Sequence, residues 1–109
     1  MNIDEYEDKQ FTLVNSNNPY ESVFIDAFIK EGCLIINNDY FDHGPEGFRS
    51  RHVIRFDKEN TRKLFSLLTS QNPDPINALE RMVNARKNVD GLKKECNRAN
   101  IIYTDSLYL

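Results

Sequence analysis

Between Gly32 and Leu68 the chain reads GCLIINNDYFDHGPEGFRSRHVIRFDKENTRKLFSLL, and this order of elements constrains the fold more than any other stretch. Cys33 to Ile36 is an apolar run that predicts a strand. Asn37 to Phe48 then brings Asn, Asp, Gly, Pro and Gly in succession, which predicts an irregular acidic loop. Arg51 to Phe56 resumes as a strand, with His52, Ile54 and Phe56 on one face and Arg51, Val53 and Arg55 on the other. Neither face is wholly apolar, so that strand is expected to be partly exposed. Asp57 can then cap a helix by accepting from the free backbone donors of its first turn. Leu64, Phe65 and Leu68 supply the buried stripe of that helix.

On either side of this block the pattern is simpler. Gln10 to Val14 predicts a strand, and Asn15 to Pro19 has turn chemistry. Tyr20 to Ile29 fits both periods: Val23, Phe24, Ala27 and Phe28 have helical spacing, while the β-branched and aromatic content fits a strand. The compact turn Lys30-Glu31-Gly32 favours a strand leading into a hairpin. Asp74-Pro75 opens a second helix, because proline loses nothing in the first turn, and Ile76, Leu79, Met82 and Val83 form its apolar face. Asn88 to Gly91 is expected to break it, with Asp90 capping a third helix that buries Leu92, Cys96 and Ala99. Ile101 to Tyr103 closes as a short strand or extended tail. Strands first and helices later predict a single domain over residues 1–109 of the α+β class, an antiparallel sheet of three to five strands with about three helices packed on one face.

Composition bounds the function classes. Of the 109 residues 39% are apolar and 28% charged, which suits a folded domain and not a disordered chain. No apolar run reaches the ~18–20 residues of a membrane span, and the acidic start MNIDEYEDKQ does not read as a signal peptide. A cytoplasmic location is expected, with Cys33 and Cys96 as reduced core thiols. The net charge of −3 is unevenly spread: Asp4, Glu5, Glu7 and Asp8 stand without a cation in residues 1–8. Residues 75–100 hold six cations against three carboxylates. An acidic chain is a poor nucleic-acid binder, because affinity there comes largely from neutralising phosphates.

No set of side chains in the sequence names a reaction. Asp39, Asp42 and His43 suggest a metal or acid–base cluster, but a ligand set needs three or four converging groups and His52 is the one other histidine. Cys33 lies in an apolar run, where burial raises a thiol pKa and makes it inert. The arginines and lysines between Arg49 and Lys63 are offset by Asp39, Asp42, Glu46, Asp57 and Glu59, and His52 and Phe56 alternate with the arginines only once, short of an RNA platform. Neither a catalytic set, a metal site nor a cofactor is expected. The loop residues Asp39, Tyr40, Asp42 and Glu46 suit a protein contact instead, with a tyrosine for area and carboxylates to pair with arginines. Phe48 is expected to anchor that loop on the core.

Asp42, Gly44 and Pro45 in DHGPEGF, the strand RHVIRF, the helix DKENTRKLFSLL and the helix-then-strand ending Leu92 to Tyr103 together resemble a pattern of small bacterial proteins. The chain resembles immunity proteins of polymorphic toxin systems, including contact-dependent growth inhibition. It departs from that pattern at Arg49 to Arg51, where the group is acidic and aromatic. The resemblance implies a non-catalytic cytoplasmic protein that binds one cognate toxin C-terminal domain, one to one, often a basic nuclease. Asp39, Tyr40, Asp42 and Glu46 would then be the partner-binding residues. The alternative is a small regulatory or anti-defence module whose basic helices, within residues 75–100, meet an acidic protein or RNA.

Overall fold

The computed structural model describes residues 3–109, and the fold is α+β, with a five-stranded antiparallel sheet and three helices. The strands are β1 (Gln10–Asn17), β2 (Glu21–Lys30), β3 (Cys33–Asp42), β4 (Arg49–Arg55) and β5 (Thr104–Tyr108). The helices α1 (Lys58–Gln71), α2 (Pro75–Asn84) and α3 (Asp90–Arg98) all fall between β4 and β5. The sheet order is β1-β2-β3-β4-β5, a meander in which every neighbour is antiparallel.

Register decides which side chains meet the helices. Val23, Ile25, Ala27 and Ile29 of β2 are buried on one face, beside Leu34 and Ile36 of β3, and Ile54 of β4 lies opposite Ile36. Leu64, Phe65 and Leu68 of α1, Leu79 and Val83 of α2, and Leu92 and Cys96 of α3 complete the same core. The double periodicity of Tyr20 to Ile29 resolves as a strand. Val23 and Ala27 point inward while Phe24 and Phe28 point outward, so the apparent helical spacing is two interleaved period-two sets.

The turn from β2 to β3 is a two-residue hairpin with Glu31 at φ 54° and Gly32 at φ 76°. Both central residues at positive φ match the right-handed twist of the strands, which explains the glycine. The Glu7 carboxylate accepts from the backbone N–H of both Glu31 and Gly32 and holds this turn from outside.

Six expectations need correction. β1 runs on to Asn17, with a register shift between Thr12 and Val14 that lets the consecutive Leu13 and Val14 both be buried, so the turn shrinks to residues 18–20. Asn18 Oδ1 closes it by accepting from Tyr20 N–H and Glu21 N–H at 2.8 and 2.9 Å. β3 does not stop at Ile36: Asn37 to Asp42 pair with β2, and Asn37 to Phe41 with β4 as well. Ladder bonds on both sides override the poor strand preference of Asn and Asp, and the loop is reduced to residues 43–48. Asp90 is the first residue of α3 and not its cap, and Ala99 is exposed. The last strand is β5 and not Ile101 to Tyr103, although Ile101 is buried and the Tyr103 ring lies 5.8 Å from that of Phe56. Phe48 is 50% exposed, so it anchors nothing. The caps of α1 and α2 form as expected: Asp57 accepts from Asn60 N–H at 2.8 Å, and Asp74 from Ile76 N–H at 3.0 Å. Among the described residues no helix is long and apolar enough to cross a membrane.

Candidate functional site

With all three helices feeding one face of the sheet, the other face is left uncovered. Cross-strand pairing arranges its side chains in rows. One row runs Asn15, Phe24, Asp39, Arg51, Tyr108; the next runs Thr12, Asp26, Asn37, Val53, Ser106; a third runs Gln10, Phe28, Ile35, Arg55, Thr104. At the end nearest the 43–48 loop lie Asn17, Ser22, Phe41 and Arg49. A groove of about 580 Å³ opens here, lined by Phe24, Asp39, Phe41, Arg49, Arg51 and Tyr108 together with Ser22, Tyr40, Ser50 and Leu109. Phe24 is 38% and Tyr108 51% exposed, so apolar rings stand in solvent beside charged groups.

Two contacts organise the groove. Arg51 grips Asp39 with two parallel bonds, Nε to Oδ1 at 2.6 Å and Nη2 to Oδ2 at 3.1 Å. That hydrogen bond and the Asp39 charge hold the Arg51 guanidinium above its ordinary pKa. Arg49 lies over the Phe41 ring, 4.7 Å from its centre, while His43 meets the same ring edge-on at 4.8 Å.

The four residues read from the sequence as one acidic loop are spread over three settings. Asp39 faces the open side and is held by Arg51. Tyr40 alternates to the other side, where it packs on the edge of the core. Partial burial, a hydrogen bond to Glu21 and the charges of Glu21 and Asp42 push its hydroxyl up in pKa. Asp42 ends β3 and accepts from Gly44 N–H at 2.8 Å, and Glu46 is exposed in the loop. The loop itself is clamped, with Asp42 N–H donating to Phe48 O at 2.8 Å and His43 N–H to Tyr20 O at 2.9 Å. Asp39 thus faces the groove, the Tyr40 ring lies on the opposite side of the strand, and Asp42 and Glu46 stand at the groove's end.

Ser22 Oγ lies 2.8 Å from His43 Nε2, a distance that suits a nucleophile and its base. Ser22, however, is 5% exposed and donates its proton to Asn17 Oδ1 at 2.6 Å. His43 is then the donor, and the hydroxyl proton does not reach the imidazole. His52 bonds Asp105 through Nδ1 at 3.2 Å, on the helix side of the sheet. Among the described residues no three His, Cys, Asp or Glu side chains converge on a common point. Cys96 is fully buried and its thiol is pushed up to about 11 by that burial, whereas Cys33 is half-buried on the open face and not a core residue as expected.

The sequence reading missed Phe24, Arg49, Arg51 and Tyr108. The alternation in Arg49–Arg55 already puts three arginines on one side, and Phe24 with Phe28 marks the outward set of β2. What single-strand patterns cannot show is that, among the described residues, no helix returns to cover that side. No protein-family model, curated protein or solved structure matches the chain.

Proposed function

We propose that this chain is a non-catalytic binding protein that neutralises a cognate bacterial toxin domain by covering it in a one-to-one complex. The reading is supported above all by the uncovered sheet face, on which exposed aromatic rings stand among arginines and carboxylates fixed by regular strands. Tyrosine, phenylalanine and arginine are the residues that dominate protein interfaces, and a rigid strand scaffold costs little ordering on association. An inhibitor that works by contact alone needs no further chemistry. Asp39 contributes from the groove, Tyr40 from the opposite side of the same strand, and Asp42 and Glu46 from the strand end and turn beside it. Asp39 and Asp42 already have internal partners, so the bulk of the contact falls on the open face and not on bare carboxylates.

The test is co-expression of the chain with the toxin domain encoded beside it. Growth is expected to be restored, and the purified pair should elute as a one-to-one complex by size-exclusion chromatography with light scattering. A toxin that kills equally with and without this chain, and does not co-elute with it, rejects the reading.

A further inference from the structure

The open face differs in charge from the molecule that carries it. The chain is −3 overall, yet the outward positions of β2, β3 and β4 hold Lys30, Arg49, Arg51 and Arg55 against Asp26 and Asp39. Asp39 is committed to Arg51 by the bidentate pair. Among the described residues neither Arg49 nor Arg55 has a carboxylate partner. Stacking on Phe41 fixes the Arg49 guanidinium in place while using none of its N–H donors. An arginine held in this way offers a planar fork that fits a carboxylate. Arg49 and Arg55 are both on β4, on the same side and six positions apart, which is about 20 Å along a strand.

Building on the protein-binding reading above, we infer that the open face docks an acidic, extended segment of the protein partner. Its carboxylates sit on Arg49 and Arg55, and an apolar side chain enters the groove between Phe24, Phe41 and Tyr108. The spacing of the two arginines sets the spacing of the two carboxylates at roughly six residues of extended chain. A single nucleic-acid strand fits this surface less well. Asp26 and Asp39 lie across its path and repel a continuous run of phosphates, whereas separate carboxylates can be placed around them. One face of Phe41 is also taken by Arg49 and is lost to base stacking.

The experiment uses the full chain and three fluorescein-labelled probes followed by anisotropy. The first is a peptide of about nine residues with two Glu six positions apart, a Phe beside one of them, and Ser and Thr elsewhere. The second has Lys for both Glu, and the third is an oligouridylate of equal length. The acidic peptide is expected to bind, to weaken with added salt, and to lose about tenfold or more in affinity in the double variant Arg49→Glu, Arg55→Glu. Both substitutions are at exposed positions, and an unchanged circular dichroism spectrum with an unchanged melting point shows that the fold is kept. A milder pair, Arg49→Ala with Arg55→Ala, should show an intermediate loss. No binding of the acidic peptide, tighter binding of the Lys peptide or of oligouridylate, or indifference to the arginine variants each overturns the inference. Co-expression separates this from the broader reading. Rescue by wild type and double variant alike removes the acidic-segment contact and leaves toxin neutralisation standing, and no rescue by the wild type removes the latter.

Discussion

Thr61 is wholly buried, and its hydroxyl serves two backbone groups at once. It accepts from Leu34 N–H at 3.0 Å and donates to Phe56 O at 3.3 Å, which ties α1 to the start of β3 and the end of β4. Asn60 beside it does the same for the end of the chain, donating to Asp57 Oδ1 at 2.9 Å and accepting from Ile102 N–H at 2.8 Å. Replacing Thr61 by Val keeps the shape but leaves the Leu34 N–H buried without a partner, which costs about 1–3 kcal/mol. The control is Thr69→Val, because that hydroxyl bonds only to carbonyls of its own helix, Phe65 O at 2.9 Å and Ser66 O at 3.0 Å. Urea unfolding should show the Thr61 loss and a change within ~0.5 kcal/mol at Thr69. Equal effects at the two positions would remove the staple role. Thr61 was within reach of the sequence, since 61, 64, 65 and 68 lie on one stripe of α1 and a threonine there is bound to be buried. Its two partners were not, because they come from elements far away along the chain.

At the scale of elements, β5 is the strand with the weakest claim to its place. It is five residues long, pairs on one side with β4, and none of its residues is buried. What holds it besides that ladder is Asp105, whose carboxylate meets Lys93 from α3 and His52 from β4. Partial burial pushes the Asp105 carboxyl up, but the hydrogen bonds and charges of Lys93 and His52 outweigh it and hold the group below its ordinary 3.8. A carboxylate depressed in the folded state adds stability above its unfolded pKa, and loses it as the pH falls through the lower, folded value. Acid should therefore loosen β5: protection of the amides of residues 104–108, relative to the intrinsic exchange rate at each pH, is expected to fall below about pH 4, ahead of protection in β2 and β3. In Lys93→Met the difference between the strands should already be present near neutrality and change less with acid. Simultaneous opening of β5 and β2 in the wild type would contradict the latch. The same element shows why sequence reached only part of this fold. The helices announced themselves through Asp57, Asp74 and Pro75, whose cap chemistry is local. β5 and the second half of β3 did not, because Thr104–Tyr108 and Asn37–Asp42 have poor strand character and owe their state to the neighbours they pair with. The loop thereby assigned to Asp39, Tyr40 and Asp42 is strand, and alternation sends Tyr40 and Asp42 to the side opposite Asp39.

Over the whole molecule, 46 Å in its longest extent, the acidic and basic groups nearest the open face are set apart. At the end where β2 turns into β3, Glu7 and Glu31 stand with Lys58 and Arg62 and are partly balanced, while Asp42 and Glu46 stand at the other end. The arginines of β4 lie on the open face between them. A partner steered toward carboxylates and one steered toward arginines therefore respond in opposite directions to the same substitution. Glu46 is the useful position, because it is exposed in the 43–48 loop. If an acidic segment docks on the open face, Glu46→Lys removes a repulsive charge beside the groove. Association with the proposed toxin partner should then speed up several-fold at low salt, with dissociation nearly unchanged. The gain should vanish at about 1 M salt, where screening acts within ~3 Å. Asp39→Ala removes a carboxylate inside the groove and frees Arg51, so it should slow dissociation as well as modestly speed association. If instead the partner presents a basic surface, as the acidic turn alone suggested, Glu46→Lys slows association at low salt. Association and dissociation rates measured by surface plasmon resonance at two ionic strengths separate the two. A slower on-rate for Glu46→Lys would withdraw the acidic-segment contact while leaving a one-to-one neutralising complex intact, now built around Asp42 and Glu46.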